Sequence, residues 1–316
     1  MKKLFLILLF VFNILILNNV RAEERVSCLR ENTEFFNKLK KYGIYNKDCK
    51  EHLDRYSVIE GIEYYDFDNN LKNDGVIVVL DTLTDNVINI FRELKKIHFP
   101  VAKMNPFIGG KIVNVLPFGL FGLTRVIEND EIDNLTSSFF CRKIEHTDIL
   151  SLHSYGIAID LNILQNPCVF IDQENQVIQN VSPKKGVLYL NRSFNRKGKE
   201  ELDIGKVNDE VVEIFKKYGY DIWGGYWDYP IDYQHFQFST RSFSKLLMHA
   251  NKEDAKFIAD IHVKCVNLLD KSLIEIAEEK EINLFKKYIE NRDEFFKEIK
   301  SWCKVNKKNF VVKNRK

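Results

Sequence analysis

The sequence predicts an α+β fold: a small antiparallel sheet with flanking helices, plus a C-terminal helical extension. Three observations predict it. Residues 59–104 read in the order strand, strand, helix, strand, which is an α+β order rather than a repeated βαβ one. Two later stretches, 157–163 and 232–238, alternate apolar and polar residues with a period of two, the mark of strands with one buried face. Beyond residue 240 the apolar spacing changes to that of helices.

The first 22 residues read as a targeting segment. Lys2 and Lys3 precede an apolar run over 4–17 that only Asn13 interrupts, and Val20, Arg21 and Ala22 resemble a small-residue cleavage site. The run is short for a membrane span. A signal peptide over 1–22 is expected, with an uncleaved anchor as the alternative, and the protein is expected to be exported: periplasmic, or secreted. Cys28 lacks a lipobox, because Arg25 stands where an aliphatic residue belongs.

Residues 23–57 form an N-terminal helical cap, with Phe35, Phe36 and Leu39 at helical spacing and Gly43 closing the turn. The domain proper, 58–240, opens with strands over 59–67 and 76–80, joined by turn residues Asp68 to Asn70 and Asn73 to Gly75. Thr84 or Asp85 can cap a helix that turns Val87, Ile88, Phe91 and Leu94 inward. Pro100 ends it and a strand follows over 101–104. The Gly- and aromatic-rich stretch 107–122 reads as an irregular loop, and 172–196 as a polar loop over the site. A helix is expected over 209–218, with Gly219 as its C-cap. The extension, 241–316, reads as a helical hairpin: one helix started by Asn251, a second over 273–302, then a tail with six Lys or Arg and no acid after Cys303. That tail is expected to make weak contact with an anionic wall or membrane surface, or else to stay solvated.

The chemistry concentrates in two places. His153 and Asp160 lie seven residues apart across Gly156 and Ala158, with Asp160 on the polar side of its strand. About 75 residues on, His235 alternates with Phe236 and Phe238. Imidazole and carboxylate are good zinc ligands, and three ligands with one open position make a catalytic rather than a structural zinc site. Asp232, three residues before His235, is then placed to act as general base. No H-E-x-x-H motif and no G-x-S-x-G elbow around Ser151 is present.

These motifs resemble the zinc peptidases that include VanY-like D-alanyl-D-alanine carboxypeptidases and L-alanyl-D-glutamate endopeptidases. Ser151, His153, Gly156, Ala158 and Asp160 match the first family motif, and Asp232, His235 and Phe236 the second. Asn166 and Pro167, the Trp223 to Trp227 stretch, and 134–142 extend the likeness, which covers about 59–238. The resemblance implies a zinc site of His153, Asp160 and His235, catalysis by Asp232, and a carboxylate-clamping role for Arg142. Ser151, Tyr155 and Trp227 are expected to meet substrate or to support the site. The implied substrate is the peptide stem of peptidoglycan, cut most readily as a D-alanyl-D-alanine carboxypeptidase, with the endopeptidase as alternative. The sequence departs at Asp232, where many members carry Glu and the endopeptidase branch carries Asp, and at Gln237, where relatives often have Glu. A non-catalytic zinc-containing cell-wall binding module is a further reading.

Composition bounds the rest. Six cysteines in an exported chain favour disulfides. Proximity suggests Cys28 with Cys49, Cys141 with Cys168, and Cys265 with Cys303. Removing 1–22 takes away Lys2, Lys3 and Arg21 and no acid, so the formal charge falls from +2 to −1. Such a chain has no global electrostatic case for binding nucleic acid.

Overall fold

A computed structural model describes residues 24–107, 134–144, 147–172, 174–192 and 200–303. The signal segment, the 108–122 part of the aromatic loop and the basic tail lie outside the described residues.

Edge strand β1 (Arg25–Cys28) leads into α1 (Glu34–Lys41), whose N-cap Thr33 accepts a hydrogen bond from Phe36 N. A 3-10 segment (Lys47–Arg55) then delivers the chain to a long hairpin, β2 (Tyr56–Tyr65) and β3 (Leu71–Leu80). Helix α2 (Thr84–Lys96) packs across β2 and buries Val87, Ile90, Phe91 and Leu94 against Ile59, Ile77 and Val79. Its cap differs from expectation. Leu83 holds the N-cap position without a side-chain bond, while Thr84 turns its hydroxyl back to the Asp81 carbonyl in a preceding 3-10 turn.

Two short strands pair in parallel, β4 (Lys103–Met104) with β5 (Leu135–Thr136). The 3-10 turn Leu152–Tyr155 and β6 (Ala158–Asp160) follow. The expected polar loop over 172–196 is instead partly a hairpin of β7 (Cys168–Asp172) and β8 (Val177–Ser182), with a 3-10 segment (Lys184–Tyr189) beyond it. The Asp172 carboxylate accepts from Glu174 N and Asn175 N, so the cluster that reads as loop is a capped turn. Helix α3 (Asp209–Lys217) forms where expected, capped by Asn208. Strands β9 (Ile222–Trp223), β10 (Ile231–Asp232) and β11 (His235–Gln237) complete the domain.

The sheets are small, and those of three strands are antiparallel: β1-β2-β3, β10-β7-β8 and β6-β11-β9. The expected antiparallel sheet is thus several sheets around a continuous core, beside the parallel β4-β5 pair.

The extension is more segmented than a hairpin. It contains α4 (Arg241–His249), α5 (Lys252–Leu269), α6 (Leu273–Glu279), α7 (Leu284–Glu290) and α8 (Arg292–Trp302). The expected helix over 273–302 breaks twice because Asn283 and Asn291 cap new helices, accepting from Lys286 N and Glu294 N. Arg55 fastens the extension to the domain: its buried guanidinium donates to the Met248 and Ala250 carbonyls, each at 2.8 Å, and pairs with Asp81.

Two disulfides form, Cys49–Cys141 and Cys265–Cys303. The last is the expected pair; the other two expected pairs are overturned. The N-terminal cap folds onto the segment before the site, so Cys49 meets Cys141 across the chain. Cys28 stays exposed on an edge strand and Cys168 is buried on β7, neither in a disulfide.

Candidate active site

The site begins with a turn. Ser151 caps the 3-10 segment by accepting from His153 N, and Gly156 closes it at φ 65°. A side chain at Gly156 would bring Cβ to 2.6 Å from Leu80 N and 2.8 Å from Val79 C, so only glycine allows this approach to the hairpin. The Gly156 carbonyl accepts from Leu80 N, and Tyr56 Oη donates to the Ser154 carbonyl at 2.6 Å. The turn presenting His153 is therefore bolted to the buried end of the β2–β3 hairpin.

From there β6 pairs with β11 in a register that sets Asp160 opposite His235, Ile159 opposite Phe236 and Ala158 opposite Gln237. Directly opposed residues share a face. Phe236 turns the other way, stacking on Phe215 of α3 at 3.8 Å between centroids. The alternation read from the sequence thus puts aromatics in the core and the polar set on one surface.

His153 Nε2 lies 3.2 Å from His235 Nδ1 and 3.3 Å from Asp160 Oδ1, and His235 Nδ1 lies 3.3 Å from the same oxygen. Tetrahedral zinc with N and O ligands at about 2.0–2.1 Å requires ligand atoms about 3.3–3.4 Å apart. The triangle has that edge length. The outward ring nitrogens are also committed. His153 Nδ1 sits 2.7 Å from the Ser138 carbonyl, which only accepts, so Nδ1 carries the proton and Nε2 offers a lone pair. His235 Nε2 sits 3.0 Å from Gln237 Oε1, and the Gln237 amide is oriented by donating to the Ser239 carbonyl at 2.8 Å, so His235 Nδ1 also points a lone pair inward. Two lone pairs and a carboxylate oxygen converge, which is the donor set of a cation site. Gln237 thus does the orienting work that a Glu would do, without the charge.

Electrostatics follow the same convergence. Burial alone would raise the Asp160 carboxyl, but in the metal-free protein a charged His153, with the inward nitrogens of both imidazoles carrying protons in place of a cation, holds it far below the usual range. Burial opposes protonation of His235, yet its hydrogen bond to Asp160 raises its pKa. Asp232 behaves oppositely. Burial, and then the Asp160 charge, push it up to about 6. Its Oδ1 is buried without a hydrogen-bond partner. Gly224 makes room for it: a Cβ there would stand 2.5 Å from the Asp232 carbonyl oxygen.

The other expected residues divide. Trp227 walls the site, its ring 5.2 Å from that of His235. Ser151 is buried and serves the turn by accepting from His153 N. Tyr155 is 9% exposed and belongs to the hydrophobic core, because the 3-10 turn points it inward. Arg142 is exposed, and no carboxylate pairs with it among the described residues. Its charge reaches the Cys168 thiol, which neighbours Asp232. Its main chain joins the site through Ser151 N, which donates to the Arg142 carbonyl.

Two contributors escape the motif reading. Ser138 acts through its carbonyl, which no side-chain pattern announces. Cys168 faces Asp232 across β7 and β10, and burial, followed by the Asp232 charge, raises its thiol pKa. Proximity in the sequence pairs it with Cys141, whose sulfur the fold instead gives to Cys49.

Residues 145–238 match a family model described as D-alanyl-D-alanine carboxypeptidase. The match is narrower than the likeness read from the sequence, and Arg142 falls outside it. Neither a curated protein nor a solved structure gives a match. The segment that brings His153, Asp160, His235 and Asp232 together is thus the part of the chain that is similar to the VanY-like D-alanyl-D-alanine carboxypeptidase family of peptidases.

Proposed function

We propose that the protein is a zinc-dependent peptidase that hydrolyses peptidoglycan stem peptides, acting as a D-alanyl-D-alanine carboxypeptidase. The observation that carries this reading is the triangle of His153, Asp160 and His235 donor atoms beside a buried, partnerless carboxylate oxygen of Asp232. Zinc held by the three would supply Lewis acidity towards a peptide carbonyl and make water nucleophilic near neutral pH. Asp232 takes the proton of the attacking water and returns it to the leaving amine. Its raised pKa suits both halves of that task, since a base poised near the working pH gives a proton back readily. Arg142, exposed and without an acidic partner among the described residues, has a planar fork of donors for the substrate's terminal carboxylate. Trp227 supplies an apolar wall beside His235. Export by the N-terminal segment would bring the protein to its substrate.

Asp232 favours a second reading, the L-alanyl-D-glutamate endopeptidase, because that branch resembles this chain in using Asp as the base. One experiment separates the readings. Residues 23–316 loaded with zinc are incubated with purified peptidoglycan, beside Asp232→Ala, and products are weighed by mass spectrometry. Loss of one terminal D-Ala, absent in the variant, is the expected result. Release of stem peptides from L-Ala would replace it with the endopeptidase. No product from folded, zinc-bound protein would leave the wall-binding module.

A further inference from the structure

A line of hydrogen bonds runs from the proposed metal site into the C-terminal extension. His235 Nε2 donates to Gln237 Oε1 at 3.0 Å, and Gln237 Nε2 donates to the Ser239 carbonyl at 2.8 Å. Ser239 N donates to Asp221 Oδ1 at 3.1 Å. The same Asp221 oxygen lies 3.3 Å from His262 Nε2 on α5. His262 Nε2 is also 3.0 Å from the Gly219 carbonyl, and its Nδ1 accepts from Leu273 N at 3.4 Å. That last bond fixes the tautomer: Nδ1 accepts, so Nε2 carries the proton towards Gly219 and Asp221. The line passes through the main chain of Ser239, whose own buried hydroxyl has no hydrogen-bond partner and takes no part in it.

We infer that His262, paired with Asp221, is a positioning residue through which the C-terminal extension sets the orientation of His235. The inference rests on the reading of His153, Asp160 and His235 as metal ligands. Three features support it. His262 is fully buried, and a buried imidazole needs its hydrogen bonds met. Its ring packs on Phe238, 4.6 Å between centroids, and on Phe243 at 5.0 Å, so it also braces the residue that follows the His235 strand. Asp221 sits just before β9, the strand that pairs with β11. The extension therefore touches the site sheet where Gln237 is held, although it lies beyond the segment that matches the peptidase family. Partners beyond the first ligands set ligand orientation and metal affinity.

The test reads metal affinity and stability together. The full chain is stripped of metal. Zn2+ affinity is measured by competition with a chromophoric chelator, Co2+ spectra report ligand geometry, and a thermal melt reports the fold. Gln237→Leu is expected to weaken Zn2+ binding about 10- to 100-fold. His262→Leu is expected to weaken it about 3- to 10-fold and to alter the Co2+ spectrum. His262→Gln, whose amide reaches the Nε2 position, is expected to restore both. Arg292→Ala, which loosens the extension away from this line, is expected to lower the melt and leave affinity unchanged. If His262→Leu does not melt cooperatively, Asp221→Ala, which removes the acceptor shared by Ser239 N and His262 Nε2, and Arg292→Ala decide: weakened binding in the first with none lost in the second supports the role, and unchanged binding in the first overturns it. His262→Leu that melts lower yet binds Zn2+ with wild-type affinity and spectrum would overturn this inference alone. A folded wild-type chain that binds no Zn2+ would overturn the metal site and this inference with it.

Discussion

The β2–β3 hairpin and the β6–β11 pair are both antiparallel, yet they are held in different ways. The hairpin pairs from Tyr56 opposite Leu80 to Tyr65 opposite Leu71, with Ile59, Ile77 and Val79 sealed beneath α2. Its rigidity is that of a ladder and a packed core. The site pair has three opposed residues and owes its order to individual bonds: the Ser151 cap, the Ser138 carbonyl, the Gln237 amide. Long ladders tolerate the loss of one bond. A site built from single bonds does not, but it can hold lone pairs and a buried carboxylate at positions that a regular sheet cannot supply. Gly156 is where the two meet, and its carbonyl passes the hairpin's rigidity to the turn that carries His153.

If the division holds, substitutions in the two regions should separate stability from chemistry. Phe91→Ala, in the layer under the hairpin, should have the largest effect on the fold. Phe91 is 1% exposed, and truncating such a ring costs about 3–5 kcal/mol. Urea unfolding should show the loss, while the protein that remains folded keeps its Zn2+ affinity. Wild-type stability with lost affinity would break the comparison.

Asp232→Asn should do the reverse. Hydrolysis should fall by about 10²–10⁴-fold, the usual size of a general-base contribution. Stability of the metal-free protein should rise. The folded-state pKa of Asp232 is raised to about 6 by burial and the Asp160 charge, so folding favours its protonated form. Above that pH the buried carboxylate opposes folding by about 3 kcal/mol, and the penalty fades as pH falls towards the ordinary aspartate value. The Asn variant should therefore melt higher than wild type at pH 7.5, with the gap closing by pH 4. A bound cation pulls the Asp232 pKa down, so with zinc the gap should shrink at pH 7.5 too. Equal melting at both pH values in metal-free protein would show that Asp232 is not desolvated.

Much of this division is legible in the sequence, and for a physical reason. Period-two alternation states which face a residue takes, so His235 and Asp160 fall on one surface and Phe236 on the other. Helical spacing gives α2 and α3 in the same way. What stays hidden acts without side-chain identity or across long separations. The Ser138 carbonyl could belong to any residue. The Cys49–Cys141 disulfide spans 92 residues and depends on how the cap docks. The breaks at Asn283 and Asn291 look like exposed polar positions on a helix until their side chains turn back to cap backbone N–H groups. Tyr155 lies in the motif, but the 3-10 turn, not its position in sequence, sends it into the core.

The smallest expected effect lies in the extension, and it tests whether that region follows the hairpin or the site. Arg292 donates to both carboxylate oxygens of Asp254, and Tyr288 Oη donates to one of them, joining α5 to α7 and α8. The Arg292 hydrogen bond, against the opposing effect of burial, holds Asp254 below its ordinary 3.8. A carboxyl with a depressed folded pKa stabilises the fold above its unfolded pKa, and that contribution is lost as pH falls through the folded value. The extension should therefore loosen below about pH 4, before the hairpin does. Hydrogen exchange at pH 6 and pH 3 would show faster exchange in α7 and α8 with α2 still protected. Arg292→Ala should bring the same local change already at pH 6, and little further change on acidification. If α2 loosened together with α8, the extension would be one cooperative unit with the core, and only the site would stand apart as bond-by-bond construction.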